Sequence, residues 1–226
     1  MTRFKICGLR DSSNALVAAE SGADLVGFCF VEGVRRQLLP EQAAAVIAEF
    51  RDSVRPELVE GRSTRSPAIV GLFANQSAQF VNEVTRLCGL DYVQLCGDET
   101  PDMWDLLDVP VIRQVKVRED LPRGESLDIA CRQVQQALDA GHNALLDKHQ
   151  AGHLGGTGVV SDWQLARDIA RDHRVVLAGG LTPDNVAEAI DTVRPWAVDV
   201  SSGVETNGQK DPAKIRAFAA AVRAAG

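Results

Sequence analysis

The sequence predicts an α/β chain closed into one (β/α)8 barrel, the TIM-barrel class, and three observations predict it. Short apolar runs rich in β-branched residues alternate with longer stretches of helical period. Eight of each can be counted. The 226 residues then supply about 28 per βα unit, within the usual size of such barrels. An open doubly wound sheet shares the alternation, but its G-x-G-x-x-G fingerprint after the first strand is absent. Cys7-Gly8-Leu9-Arg10 stands there instead.

The strands are predicted over 4–7, 25–30, 69–73, 92–96, 111–117, 144–147, 175–178 and 197–200. They are nearly all apolar, as strands of a parallel sheet covered on both faces must be. Between them, Asp11 or Ser12 caps a helix through Ala19, and Pro40-Glu41-Gln42-Ala43 opens a second with proline in its first turn. Further helices are predicted over 77–87, 100–107, 127–140, 162–172, 183–191 and 212–224. Several begin with Ser, Thr or Asp, whose side chains accept the unpaired first-turn N–H groups. One segment breaks the rhythm. Residues 55–66 are polar and long for an αβ connection, and are expected to form a mobile surface loop on the face where strands begin. The whole of 1–226 is read as a single domain.

Composition narrows the function. Lys plus Arg is 24 and Asp plus Glu is 31, a formal charge of −7. That balance argues against a protein that coats nucleic-acid phosphates, which needs a basic face, and leaves room only for a local anion pocket. No apolar run approaches the roughly 20 residues of a membrane-spanning helix, and the Met1–Cys7 start is too polar for a secretory leader. The five cysteines (Cys7, Cys29, Cys88, Cys96, Cys131) are scattered and include no C-x-x-C pair. A reduced cytoplasmic protein is expected, without a zinc site or disulfide framework. The histidines (His142, His149, His153, His173) show no metal-ligand spacing.

A barrel carries its chemistry at the C-terminal ends of its strands. There the sequence places Cys7-Gly8 after strand one, Arg35-Arg36 after strand two and Asp147 at the end of strand six. Gly179-Gly180 follows strand seven, and Asp199 with Ser201-Ser202-Gly203 lies at strand eight. The turns after strands seven and eight are neighbours whose N–H groups, with the serine hydroxyls, suit a phosphate. Leu154-Gly155-Gly156-Thr157-Gly158 is a further flexible turn able to close over a substrate or to be a plain loop. Cys7 reads equally as a buried small hydrophobe, and Asp147 as a helix cap. Together they supply a thiol able to become a base and a carboxyl able to give a proton. Arg36 suits a substrate carboxylate through two parallel N–H donors, Arg35 reads as a solvated surface residue, and Lys5 needs an anionic partner if it lies inside the barrel.

These residues, in this order, resemble the phosphoribosylanthranilate isomerases of tryptophan biosynthesis. The matching stretches include Lys5-Ile6-Cys7-Gly8-Leu9, Arg36 with Pro40-Glu41-Gln42-Ala43, Tyr92-Val93-Gln94-Leu95 and Leu145-Leu146-Asp147. Gly155-Gly156-Thr157-Gly158, Leu177-Ala178-Gly179-Gly180-Leu181 and Asp199-Val200-Ser201-Ser202-Gly203-Val204-Glu205 complete the series. The resemblance covers essentially the whole chain. It implies a barrel that converts N-(5-phosphoribosyl)anthranilate to an aminodeoxyribulose phosphate by an Amadori rearrangement, without metal or cofactor. It implies Asp147 as general acid and Cys7 as general base. It implies Arg36 at the anthranilate carboxylate, and Gly156, Gly179, Gly180, Asp199, Ser201, Ser202 and Gly203 around the rest of the phosphosugar. Many relatives read Gln-Leu-His-Gly where this chain has Gln94-Leu95-Cys96-Gly97. Oligomeric state stays open between monomer and homodimer.

Two other readings compete. The analogous isomerase of histidine biosynthesis uses carboxylates at both catalytic positions and a substrate with two phosphates, so Cys7 and the single Arg36 favour the anthranilate substrate. A non-catalytic phosphosugar-binding barrel would keep the glycine turns but have no need of Cys7 and Asp147 together.

Overall fold

A computed structural model describes residues 1–54, 66–118, 120–148 and 162–225. Eight parallel strands close on themselves in sequence order: β1 (Arg3–Leu9), β2 (Leu25–Cys29), β3 (Ala68–Phe73), β4 (Tyr92–Leu95), β5 (Val111–Val117), β6 (Asn143–Lys148), β7 (Val175–Leu177) and β8 (Ala197–Val200). The seam is made by β1 and β8, in a register that sets Lys5 beside Asp199. The predicted barrel class is the observed one.

Alternation along each strand separates two apolar layers, because successive side chains point to opposite faces. Leu25, Val70, Leu72, Ile112, Leu145 and Val176 fill the inside of the barrel. Phe4, Phe28, Phe73, Ile47, Ile169 and Phe218 belong to a larger layer between the sheet and its helices. Phe218, wholly buried, meets Phe4 edge to face at 6.3 Å. Truncating such a side chain to alanine costs about 3–5 kcal/mol.

The surrounding helices are α1 (Ser12–Glu20), α2 (Pro40–Ser53), α3 (Ala78–Cys88), α4 (Pro101–Trp104), α5 (Arg123–Asp139), α6 (Trp163–Ala170), α7 (Val186–Val193) and α8 (Pro212–Ala225). Asp11, Ser77 and Asp162 cap α1, α3 and α6 through their side-chain oxygens. Several predicted bounds are corrected. The fourth helix is a single turn instead of 100–107, because Asn82 of α3 takes the chain after Trp104. Its amide donates to the Leu106 carbonyl at 2.7 Å and its carbonyl accepts from the Asp108 N–H at 3.0 Å. The seventh helix begins at Val186, not at Pro183, since Asn185 ties 180–182 into a turn through Thr182 N–H and Gly180 C=O. The fifth begins earlier than predicted, directly after Pro122. Beyond β8 lie two elements absent from the prediction: a 3-10 turn (Ser202–Val204) and an antiparallel hairpin of β9 (Glu205–Thr206) and β10 (Gln209–Lys210). The connector expected at 55–66 lies, apart from Ser66, outside the described residues, as does the turn at 154–158.

A cavity of about 1570 Å³ opens at the N-terminal end of the barrel, between Arg3, Asp24, Tyr92 and Trp196. The guanidinium groups of Arg3 and Arg174 both lie over the Trp196 ring there, at 4.8 and 3.9 Å from its centroid. This is the end opposite Cys7 and Asp147, where barrel residues contribute stability rather than chemistry.

Candidate active site

Lys5 and Cys7 share the inward face of β1, one layer apart. Gly27 on β2 makes room for both: a Cβ there would sit 3.2 Å from Cys7 Sγ and 3.2 Å from Lys5 Cε. Across the seam, Lys5 Nζ donates to Asp199 Oδ1 at 3.0 Å, with both side chains buried. The anionic partner that an interior Lys5 requires is therefore Asp199. Burial alone would pull the Lys5 ammonium down, but Asp199 and Cys7 hold it above its ordinary value.

Cys7 is almost wholly buried. Burial and the Asp199 carboxylate push its thiol above the ordinary range, and the Lys5 ammonium offsets only part of that. In the free protein Cys7 is mainly a thiol, so its use as a base draws on the minor form in which it is the thiolate.

Asp147 faces the same interior from β6. Among the described residues its Oδ2 accepts from Gln114 Nε2 at 2.6 Å and its Oδ1 from the Lys148 N–H at 2.9 Å. Burial raises its pKa to about 6 against the pull of the Lys148 N–H, with Asp199 adding to the rise and Gln114 opposing it. A carboxyl at this value is partly protonated near neutrality and can give its proton up readily. Gln114 was not singled out in the sequence. Its carbonyl oxygen, like that of Gln94, is buried and has no hydrogen-bond partner among the described residues. Cys96 is buried and accepts from Gln94 Nε2 at 3.5 Å.

The turns after β7 and β8 pack directly together. Gly179 and Gly180 both take left-handed backbone (φ 91° and 67°). Gly203 lies so close to the Leu181 carbonyl that a Cβ would collide with its oxygen. Ser201 Oγ donates to the Cys7 carbonyl at 3.2 Å, and Ser202 opens the 3-10 turn. Gly156 is outside the described residues.

Arg36 reaches over Gly8, where a Cβ would meet its Cδ, toward the β9–β10 hairpin. There Glu205 accepts from Arg36 Nε at 2.7 Å and Nη2 at 3.1 Å, from Arg35 Nη2 at 2.5 Å and from Lys210 Nζ at 3.0 Å. Lys210 also donates to the Ser201 carbonyl at 2.7 Å. Arg35 is half exposed as expected of a surface residue, yet tied down by Glu205. The sequence reading missed the Glu205–Lys210 pair, although its signal was present. Asn207-Gly208 is a two-residue turn with positive φ at both positions (50° and 77°), the strongest short-range mark of a hairpin, and it faces Glu205 with Lys210.

Comparison with known proteins agrees with this arrangement. The family model described as N-(5'phosphoribosyl)anthranilate (PRA) isomerase matches residues 4–221. A relative of that name from Roseiflexus castenholzii is 45% identical over 223 residues, covering 98% of each chain. One from Geobacter sulfurreducens is 42% identical over 219 residues, covering 96% of this chain and 97% of its own. The crystal structure of phosphoribosyl anthranilate isomerase from Thermotoga maritima superimposes with a TM-score of 0.81 at 33% identity, over 99% of this chain and 100% of that one. A crystal structure of phosphoribosyl anthranilate isomerase in complex with reduced 1-(o-carboxyphenylamino)-1-deoxyribulose 5-phosphate gives a TM-score of 0.78 at 32% identity, over 99% of this chain and 100% of that one. With a closed barrel, the paired acid–base candidates at its C-terminal mouth and these full-length matches, the chain belongs to the N-(5'-phosphoribosyl)anthranilate isomerase family.

Proposed function

We propose that this chain converts N-(5-phosphoribosyl)anthranilate to 1-(2-carboxyphenylamino)-1-deoxy-D-ribulose 5-phosphate, with Asp147 as general acid and Cys7 as general base. The observation that carries the reading is the pairing of a carboxyl raised to about 6 with a thiol in the same barrel mouth, the two linked through Asp199 and Lys5. The relatives named above all carry this name, which favours the reading over an isomerase of histidine biosynthesis. A non-catalytic phosphosugar binder gives no reason for the buried Cys7 and Asp147.

In the proposed scheme Asp147 gives its proton to the ribose ring oxygen. The C1–O bond breaks, and the aniline nitrogen lone pair forms a C1–N double bond, leaving an iminium cation. Its positive charge acidifies the C2 proton. Cys7 meets that proton as the thiolate of the minor form in which the proton shared by the pair sits on Asp147 and not on sulfur. Cys7 removes that proton, and the C–H electron pair becomes the C1–C2 double bond of an enolamine. The enol then loses its hydroxyl proton while C1 gains one, giving the ketone with no net change in atoms. The proton to the ring oxygen and the proton from C2 are moved by the chain's own side chains, Asp147 and Cys7.

Arg36 holds the anthranilate carboxylate in this reading. Gly179, Gly180, Ser201, Ser202 and Gly203 hold the phosphate, with Gly156 and Asp199 beside the sugar. The substrate is thus a small phosphosugar, recognised by local donors on a protein whose net charge is −7. A cytoplasmic enzyme, monomer or homodimer, accords with this reading; a Thermotoga maritima relative is described as dimeric. Among the described residues, no helix is long and apolar enough to cross a membrane.

The test is turnover of phosphoribosylanthranilate generated in situ, followed by its fluorescence. Cys7→Ala and Asp147→Asn should each lose about 10²–10⁴-fold in turnover while remaining folded. Undiminished turnover in both removes the scheme, and an inactive wild type that still binds phosphosugar returns the binding-only reading.

A further inference from the structure

Resting on the function proposed above, we infer that Glu205 is the positioning residue for the carboxylate clamp, and that the β9–β10 hairpin exists in part to present it. The pairing is side-on. Glu205 takes the Nε and Nη2 protons of Arg36 on one edge of the guanidinium. A guanidinium has five N–H donors in a rigid plane. The end-on edge, one proton on Nη1 and one on Nη2, is therefore left over, and Nη1 has no hydrogen-bond partner among the described residues. That edge is a fork of the geometry a carboxylate accepts.

Glu205 is itself fixed from three sides. Lys210, directly opposite it in the hairpin register, donates to the same oxygen as Arg36 Nε, and Arg35 donates to the other. Glu205 and Lys210 side chains are only 5% and 3% exposed, so neither swings freely. Burial would raise the Glu205 carboxyl, but Arg36 and Lys210 hold it below its ordinary value. It therefore stays ionised across the working pH range. The contacts continue through Lys210 to Ser201 and from Ser201 to the Cys7 carbonyl, so the clamp and the base share one rigid frame.

The charges also add up in the right direction. Three cations against one carboxylate leave a local surplus of positive charge at the rim. An incoming carboxylate meets that surplus, while Glu205 keeps the arginine plane from turning to follow solvent. Arg36 without Glu205 would still be cationic, but would have to be ordered at the moment of binding.

The experiment compares two ligands on two proteins. The ligands are the carboxyphenylamino product and its phenylamino counterpart lacking the ring carboxylate. Wild type should prefer the carboxylate-bearing ligand, and Glu205→Gln should lose about tenfold or more of that preference. KM for the substrate should rise by a larger factor than kcat falls, and Glu205→Asp should restore part of the preference. An unchanged preference in folded Glu205→Gln, with the wild type active, overturns the inference alone. Absence of wild-type turnover instead overturns the function beneath it. Should Glu205→Gln fail to fold, the wild type still decides. The Arg36 Nε proton should exchange slowly with and without product, and an Nε proton protected only by product overturns the inference.

Discussion

Lys5 and Asp199 form a buried ion pair across the seam where the first and last strands meet, Nζ to Oδ1 at 3.0 Å. Two charges taken out of water stay favourable only while each has the other, and removing one strands its partner. Lys5→Met should therefore cost about 3–5 kcal/mol of stability, read as a fall in thermal or denaturant midpoint. The double variant Lys5→Met with Asp199→Leu removes both charges and should recover most of that loss without recovering turnover. If the double variant is no more stable than the single, the pair is not the source of the cost.

The pH profile follows from the two raised groups. With Asp147 at about 6 and Cys7 above its ordinary value, the free pair carries one shared proton near neutrality and holds it mainly on sulfur. The acting form, carboxyl protonated and thiolate free, is the minor tautomer of that singly protonated pair. Its share is constant between the two pKa values. Below about 6 Asp147 is protonated as well, the pair holds two protons and the thiolate is lost. Accordingly kcat/KM should be level above pH 6 or so, and should fall about tenfold per unit below it. A rate that goes on rising as the pH drops through 6 contradicts this pairing of roles.

Gln114 supplies a second handle on the same limb. Its amide donates to Asp147 Oδ2 at 2.6 Å and so favours the charged carboxylate. Gln114→Leu removes that donor while keeping the volume, and should move the acid limb of kcat/KM to higher pH, with Gln114→Glu moving it in the same direction through like charge. A limb that stays in place in both variants shows that the contact carries no weight in solution.

The fold was legible in the sequence and the partnerships inside it largely were not, for one physical reason. Apolar periodicity and helix caps are local, so all eight strands and the caps at Asp11, Ser77 and Asp162 could be read from neighbouring residues. Ion pairs within the barrel depend on closure. Lys5 finds a partner 194 positions away, and Arg36 one 169 positions away. A sequence reading could say that Lys5 needs an anion, but nothing local names Asp199. It could nominate Arg36, and the Asn207-Gly208 turn pairs Glu205 with Lys210 locally, but the contact of Arg36 with Glu205 became visible only once the strand ends were brought together. The shortened fourth helix fails for the same reason, because Asn82 competes for its backbone from another helix.

Gly203 offers the sharpest structural test of the proposed phosphate turn. The turns after β7 and β8 touch at this point, backbone against backbone, with the Leu181 carbonyl oxygen where a side chain at 203 would begin. A carbonyl in a strand-end turn has little freedom to move aside. It is continuous with Thr182, whose N–H is held by Asn185 at 2.8 Å. Gly203→Ala should force the two turns apart and cost about 1–3 kcal/mol of stability. Because the displaced N–H groups are those proposed to meet the phosphate, inorganic phosphate should bind more weakly by about tenfold or more, the loss expected for misplaced charge-assisted donors. Ala at 202, one residue earlier, removes a hydroxyl but leaves the backbone in place, and should weaken phosphate binding less. Equal losses in the two variants would assign the grip to hydroxyls; a larger loss for Gly203→Ala assigns it to the close-packed backbone.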